Sequence, residues 1–184
     1  MSKKQKNQLA ATPTGANAQK WYRAKLPVLK FFGIFVGVIA LYYVLVAFAD
    51  FGLMDFYVGA SASIAGSIMS LCGKTVQVAN GIICSDTVAV SLSFGCEGSE
   101  PIAIFCAGVL AFPSKWREKL WGLGLGVALL YLMNLARIIA LYFILESSPD
   151  SFELFHTLIF PVLFILIAVI CWGLWIKWTL PKKA

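Results

Sequence analysis

Residues 120–145 read LWGLGLGVALLYLMNLARIIALYFIL, an apolar run in which Arg137 is the one charge and Asn134 the one amide. As a helix rising 1.5 Å per residue, the run is long enough to cross the roughly 30 Å hydrocarbon core of a bilayer. It therefore decides the fold class: a helical membrane protein. An arginine inside a spanning helix costs at least ~2.5–3.5 kcal/mol on insertion scales and calls for a partner and a purpose. Snorkelling is the plain alternative, but Arg137 lies about 12 Å below Leu145, a long reach for one side chain.

The rest of the chain agrees. It is 60% hydrophobic and only 13% charged, with a mean hydropathy of +0.82, where a soluble domain carries about 25% charged residues. Soluble enzymes, disordered chains and collagen-like chains are excluded, and 184 residues fit one compact bundle. The net charge of +6 does not indicate a nucleic-acid partner. Its cations flank apolar runs instead of sharing one face, so they report topology in a lipid membrane.

Outward from residues 120–145, three further spans are expected, at about 28–49, 101–112 and 155–175. Residues 1–27 read as a basic, solvated cytoplasmic tail, and 28–184 as a single membrane-embedded catalytic domain. Ala47-Phe48-Ala49 resembles a signal-peptidase site, but the apolar run before it is longer than a signal peptide's, which favours an uncleaved anchor. Residues Phe51 to Leu71 form an additional helix of moderate hydrophobicity that spans, lies in the interface or re-enters. Beyond it, β-branched runs separated by Asn80-Gly81 and Ser85-Asp86 predict a small extracytoplasmic β-hairpin. The fold expected is thus all-α, with four transmembrane helices and these two appendages. A short acidic loop, Glu146 to Glu153, joins the last two spans.

Orientation follows from Lys and Arg, which collect on the cytoplasmic side. With both termini and the Lys115–Lys119 loop cytoplasmic, only Lys74 and Arg137 of the 15 Lys+Arg are unplaced. Of the nine acids only Glu118 falls on that side. The Phe51 helix then does not cross.

Three side chains from separate segments meet at the outer leaflet in this topology. Cys96, in Phe94-Gly95-Cys96-Glu97-Gly98-Ser99-Glu100-Pro101, sits where a loop becomes a helix N-terminus, a setting that favours thiolate. A buried structural thiol, or a bridge to Cys84, is the plainer alternative. His156 opens the last span and is the sole imidazole; alone it reads as an interfacial polar residue. Together, Cys96, His156 and Arg137 supply a nucleophile, a base and an oxyanion-stabilising cation for acyl transfer. Asn134 shares the Arg137 face one turn earlier. Cys106 and Cys171 behave as small hydrophobes within apolar runs. No CxxC and no zinc-like cluster occurs, so neither a metal nor a cofactor is expected.

These motifs resemble the exosortases and archaeosortases, membrane transpeptidases or proteases that process C-terminal sorting signals. Their Cys-x-Gly stretch is similar to Cys96-Glu97-Gly98, their inner loop to Leu110-Ala111-Phe112-Pro113-Ser114-Lys115-Trp116-Arg117, their Asn-x-x-Arg helix to Asn134-Leu135-Ala136-Arg137, and their His helix to Phe155-His156. The likeness covers roughly residues 73–178 and looks closest to the small H-type exosortases. It implies Cys96 as nucleophile, His156 as general base and acid, and Arg137 as transition-state cation, with Asn134, Glu97 and Glu100 as supporting residues. Glu97 departs from the Asn or Ser common after the family's Cys; an anion there raises the thiol pKa unless it faces Arg137 or water. The implied partners are secreted substrates with PEP-CTERM-like tripartite tails. The implied location is the bacterial cytoplasmic (inner) membrane, with the active site on the extracytoplasmic face. Two rivals predict different behaviour. A membrane thiol oxidoreductase using Cys84 and Cys96 predicts a disulfide. A non-enzymatic scaffold or transporter subunit predicts a dispensable Cys96.

Overall fold

A computed structural model describes residues 15–48, 52–92 and 98–180, without the side chains of residues 15–24 and 53. The order is α1 (Gly15–Phe48), α2 (Gly52–Leu71), β1 (Gln77–Ala79), β2 (Ile82–Cys84), β3 (Ala89–Ser91), α3 (Ser99–Ala111), α4 (Trp116–Ser147), α5 (Pro149–Leu154), a π-helical turn (Phe155–Ile159) and α6 (Phe160–Thr179).

Among the described residues, three stretches are long and apolar enough to cross a membrane: Lys25–Phe48, Trp116–Ser147 and Pro149–Thr179. The fourth expected span, 101–112, is the apolar helix α3. With 13 residues it is about 20 Å long, short of the bilayer core. Its ends explain the length. Gly98 begins it in the left-handed region at φ 74°, and Phe112 leaves it at φ −70°, ψ 135°, the extended geometry required before Pro113. Lys119 Nζ then donates to the Leu110 carbonyl at 2.5 Å, placing a cation on the negative end of the helix.

Two boundaries differ from expectation. The 1–27 tail is not wholly irregular: from Gly15 onward it is the first part of α1, which continues through Pro27. Ala16, Ala18, Gln19, Lys20, Arg23 and Ala24 are good helix formers, and the apolar helix that follows propagates back across the single hydrogen bond that proline removes. The acidic loop is also mostly helical. Only Ser148 (φ −148°, ψ 72°) departs from helix, and Pro149 starts α5 at the position where its fixed φ suits a first turn.

The β-branched runs form a three-stranded antiparallel meander, β1-β2-β3, in place of a single hairpin. Ala79 pairs with Ile82 and Cys84 with Ala89. Asn80 (φ 50°) and Gly81 (φ 75°) both lie at positive φ, the type I′ turn that matches strand twist. Ile83, Val90 and Leu92 pack with Ala62, Ala65 and Met69 of α2 and with Leu135, Ile138 and Tyr142 of α4. A second cluster joins Phe105 and Val109 of α3, Leu130 of α4, and Phe164, Ala168 and Trp175 of α6. The bundle thus has one core among its long helices and another under the sheet, both fed by α4.

Candidate active site

One face of α4 connects the two cores. Gly122, Gly126, Leu130, Asn134, Arg137, Ile138 and Leu141 are all buried, at the three- and four-residue spacing of a single helical stripe. The two glycines admit bulky neighbours. A Cβ on Gly122 would meet the Trp175 indole, and one on Gly126 the Phe105 ring. Further along, the stripe turns polar. Asn134 is 0% and Arg137 7% exposed, so Arg137 is packed into protein and does not snorkel. It lies about 27 Å along α4 from Lys119, near the far boundary of a 30 Å core that begins at that lysine.

Gly98 closes the site onto α4. A Cβ there would come within 2.6 Å of Asn134 Cγ and Oδ1, and φ 74° independently disfavours any side chain. Glycine is needed on both counts, and the residue two after Cys96 is seated on the amide one turn from Arg137. Cys96 and Glu97 themselves lie outside the described residues. Glu100 is in the first turn of α3 and accepts a hydrogen bond from the Tyr43 hydroxyl at 3.1 Å. Beside it, the Tyr42 hydroxyl and Ser99 Oγ are 2.6 Å apart. The end of α1 therefore clamps the start of α3.

His156 sits in the π-helical turn, where Phe160 N–H donates to the Phe155 carbonyl. Its ring stacks on Phe152, with centroids 5.4 Å apart and planes 11° apart. Such one-turn π segments shift the register of the side chains beyond them and recur at functional sites. The Gly122–Trp175 contact sets the register of α4 against α6. From it, Arg137 is about 22 Å along one helix and His156 about 28 Å back along the other, so the two stand within about one turn of the same level.

Lys74, one of the two cations the topology left unplaced, bonds both carboxylate oxygens of Glu146 at 2.9 and 2.7 Å and lies 5.5 Å from the centroid of the Phe143 ring. This ties the segment after α2 to the end of α4. The hydrogen bond to the Glu146 carboxylate raises the lysine's pKa above its ordinary value. The exceptional acid, Glu118, accepts the Lys115 backbone N–H at 3.0 Å. It serves the helix N-terminus, which explains a lone carboxylate among basic residues.

Asn134 and Arg137, candidates from the sequence, are buried on α4, and the candidate His156 lies in the π-helical turn. Sequence reading missed the Tyr42–Ser99 and Tyr43–Glu100 clamp and the fit of Gly98 to Asn134. The available signal was the run Gly122, Gly126, Leu130, Asn134 at four-residue steps.

The fold defines a class: an integral membrane helical bundle in which Gly98 seats on the buried Asn134, one turn from the buried Arg137, with His156 in a π-helical turn. Residues 15–173 match the family model described as transmembrane exosortase (Exosortase_EpsH). The chain belongs to that family. Neither the curated proteins nor the solved structures hold a match to it.

Proposed function

We propose that this protein is a membrane cysteine protease or transpeptidase that removes the C-terminal sorting signals of secreted proteins, with Cys96, His156 and Arg137 as its catalytic residues. The observation that carries the reading is the seating of Gly98 on Asn134. It couples the Cys96 loop to the Arg137 helix, with the His156 turn at a similar level. His156 takes the Cys96 proton, and the thiolate forms a bond to the scissile carbonyl carbon. Arg137 and backbone N–H groups stabilise the oxyanion. The C–N bond breaks, His156 returns the proton to the leaving amine, and a thioester remains. Water or an acceptor amine then takes the acyl group and regenerates the thiol. Asn134 orients Arg137; Glu100 fixes the start of α3 through Tyr43.

In the same reading, four segments traverse the bacterial inner membrane, with α3 as the short one beside the three long helices, and both termini are cytoplasmic. The catalytic residues and the sheet face outward. Charge segregation supports this. Lys25, Lys30, Lys115, Arg117, Lys119 and Lys177 lie at one end of the helices, and Glu100, Glu146, Asp150 and Glu153 at the other.

The test is co-expression with a tagged secreted protein bearing a tripartite C-terminal tail from the same genome, read by intact mass. Tail loss with wild type but not with Cys96→Ala supports the assignment, and the new terminus distinguishes hydrolysis from transfer. Equal loss with both removes Cys96 as nucleophile.

A further inference from the structure

At the end of the bundle remote from Gly98 and Asn134, a groove of about 460 Å³ opens between α4 and α6, lined by Phe105, Trp121, Leu125, Leu129, Cys171 and Trp178 among others. Its lining is almost wholly apolar. From Trp121 to Leu129 it runs about 12 Å along α4, close to the depth of one leaflet of a 30 Å core. A crossing helix would need twice that length. At the groove's basic end, Trp121 also lines a second hollow of about 440 Å³ with Arg117 and Leu120. Lys177, in the last turn of α6, is exposed next to Trp178. Among the described residues, neither Arg117 nor Lys177 is ion-paired. The nearest acid, Glu118, already accepts the Lys115 N–H.

We infer that the groove and hollow together form a binding site for one anionic phospholipid. Its acyl chains lie between α4 and α6, and its phosphate sits against Arg117 and Lys177, with Trp121 and Trp178 at the headgroup level. The length of the groove selects a single-leaflet chain, and Arg117 in the hollow, with exposed Lys177 one residue before the groove-lining Trp178, selects a negative headgroup.

The full-length protein in detergent is titrated with dioleoyl phosphatidylglycerol and, separately, dioleoyl phosphatidylcholine, with adducts read by native mass spectrometry. One phosphatidylglycerol is expected to persist where phosphatidylcholine is lost. Arg117→Gln with Lys177→Gln should weaken its binding roughly thirtyfold, about fivefold per cation, whereas Lys25→Gln with Lys30→Gln, an equal charge change at the same end, should leave it unchanged. Leu125→Trp, which fills the groove from an exposed position, should weaken both lipids. Equal retention of the two lipids, an equal loss with the Lys25 and Lys30 pair, or no effect of Leu125→Trp overturns the site. A dimer that Leu125→Trp dissolves overturns it too, assigning the groove to a second copy.

Discussion

At the scale of single residues, Gly98 carries the most information. Its positive φ and its contact with Asn134 are separate constraints, so Gly98→Ala is expected to cost ~1–3 kcal/mol from backbone strain alone. Processing of a tailed substrate should fall more than the melting temperature does, because the displaced loop carries Cys96; a thermal melt in detergent beside the intact-mass assay separates the two effects. Lys74 and Glu146 make a prediction in pH. The folded-state pKa of Lys74 lies above its ordinary value, chiefly through its hydrogen bond to Glu146. While Glu146 is ionised, the pair's contribution is present below the ordinary lysine pKa and is lost as pH rises through the raised folded value. Glu146→Gln should speed amide exchange in the segment after α2 at pH 8, and the difference from wild type should vanish when the lysine is neutral. Arg137, Asn134 and His156 stand out in the sequence because polar groups in apolar runs are conspicuous. The Tyr–Ser and Tyr–Glu clamp was invisible because Tyr is an ordinary residue at a membrane boundary.

At the scale of elements, the π-helical turn places side chains that α-helical periodicity alone would misplace, whereas the α4 stripe follows it. Deleting Leu158 should convert the turn into regular α-helix, rotating the segment that carries His156 by about 100° relative to α6. Far-UV circular dichroism and the melting temperature should change little, while substrate processing is abolished. Along α4, glycines that look alike in the sequence differ in consequence. Gly122→Leu would drive a side chain into Trp175, whereas a Cβ on Gly124 meets nothing within 4 Å. The first should destabilise by ~1–3 kcal/mol or fail to fold; Gly124→Ala should be neutral or gain up to ~1 kcal/mol from helix propensity. Melting temperatures of both variants check this. The sequence placed α2 and α4 to within a few residues and placed the Asn80-Gly81 turn, but began the first helix at 28 where α1 begins at Gly15. The segment expected at 101–112 is α3 (Ser99–Ala111), and Pro113 marked its end in the sequence because the residue before a proline disfavours helix.

Across the whole molecule, the aromatic residues repeat the charge pattern. Trp116, Trp121, Trp175 and Trp178 lie at the basic end, and Tyr42, Tyr43 and Tyr131 lie near the level of Ser99 and Asn134. Such belts mark the two water interfaces of a bilayer. A cysteine replacing Ser114 is expected to be shielded from a membrane-impermeant maleimide in intact cells, and one replacing Asp86 to be labelled, measured in a background with the native cysteines replaced where activity permits. The reverse pattern would invert the proposed orientation. Hydropathy, the distribution of Lys and Arg, and the isolated polar residues were enough to establish a helical membrane protein and its long apolar stretches and to nominate Asn134, Arg137 and His156 as candidates, because the cost of placing charge in lipid is local and can be read residue by residue. The tertiary structure alone decided that α4 serves two cores, that Gly98 seats on Asn134 and that Lys74 ties down the chain after α2. Those outcomes depend on which surfaces meet between segments far apart in sequence, and no local pattern encodes that fit.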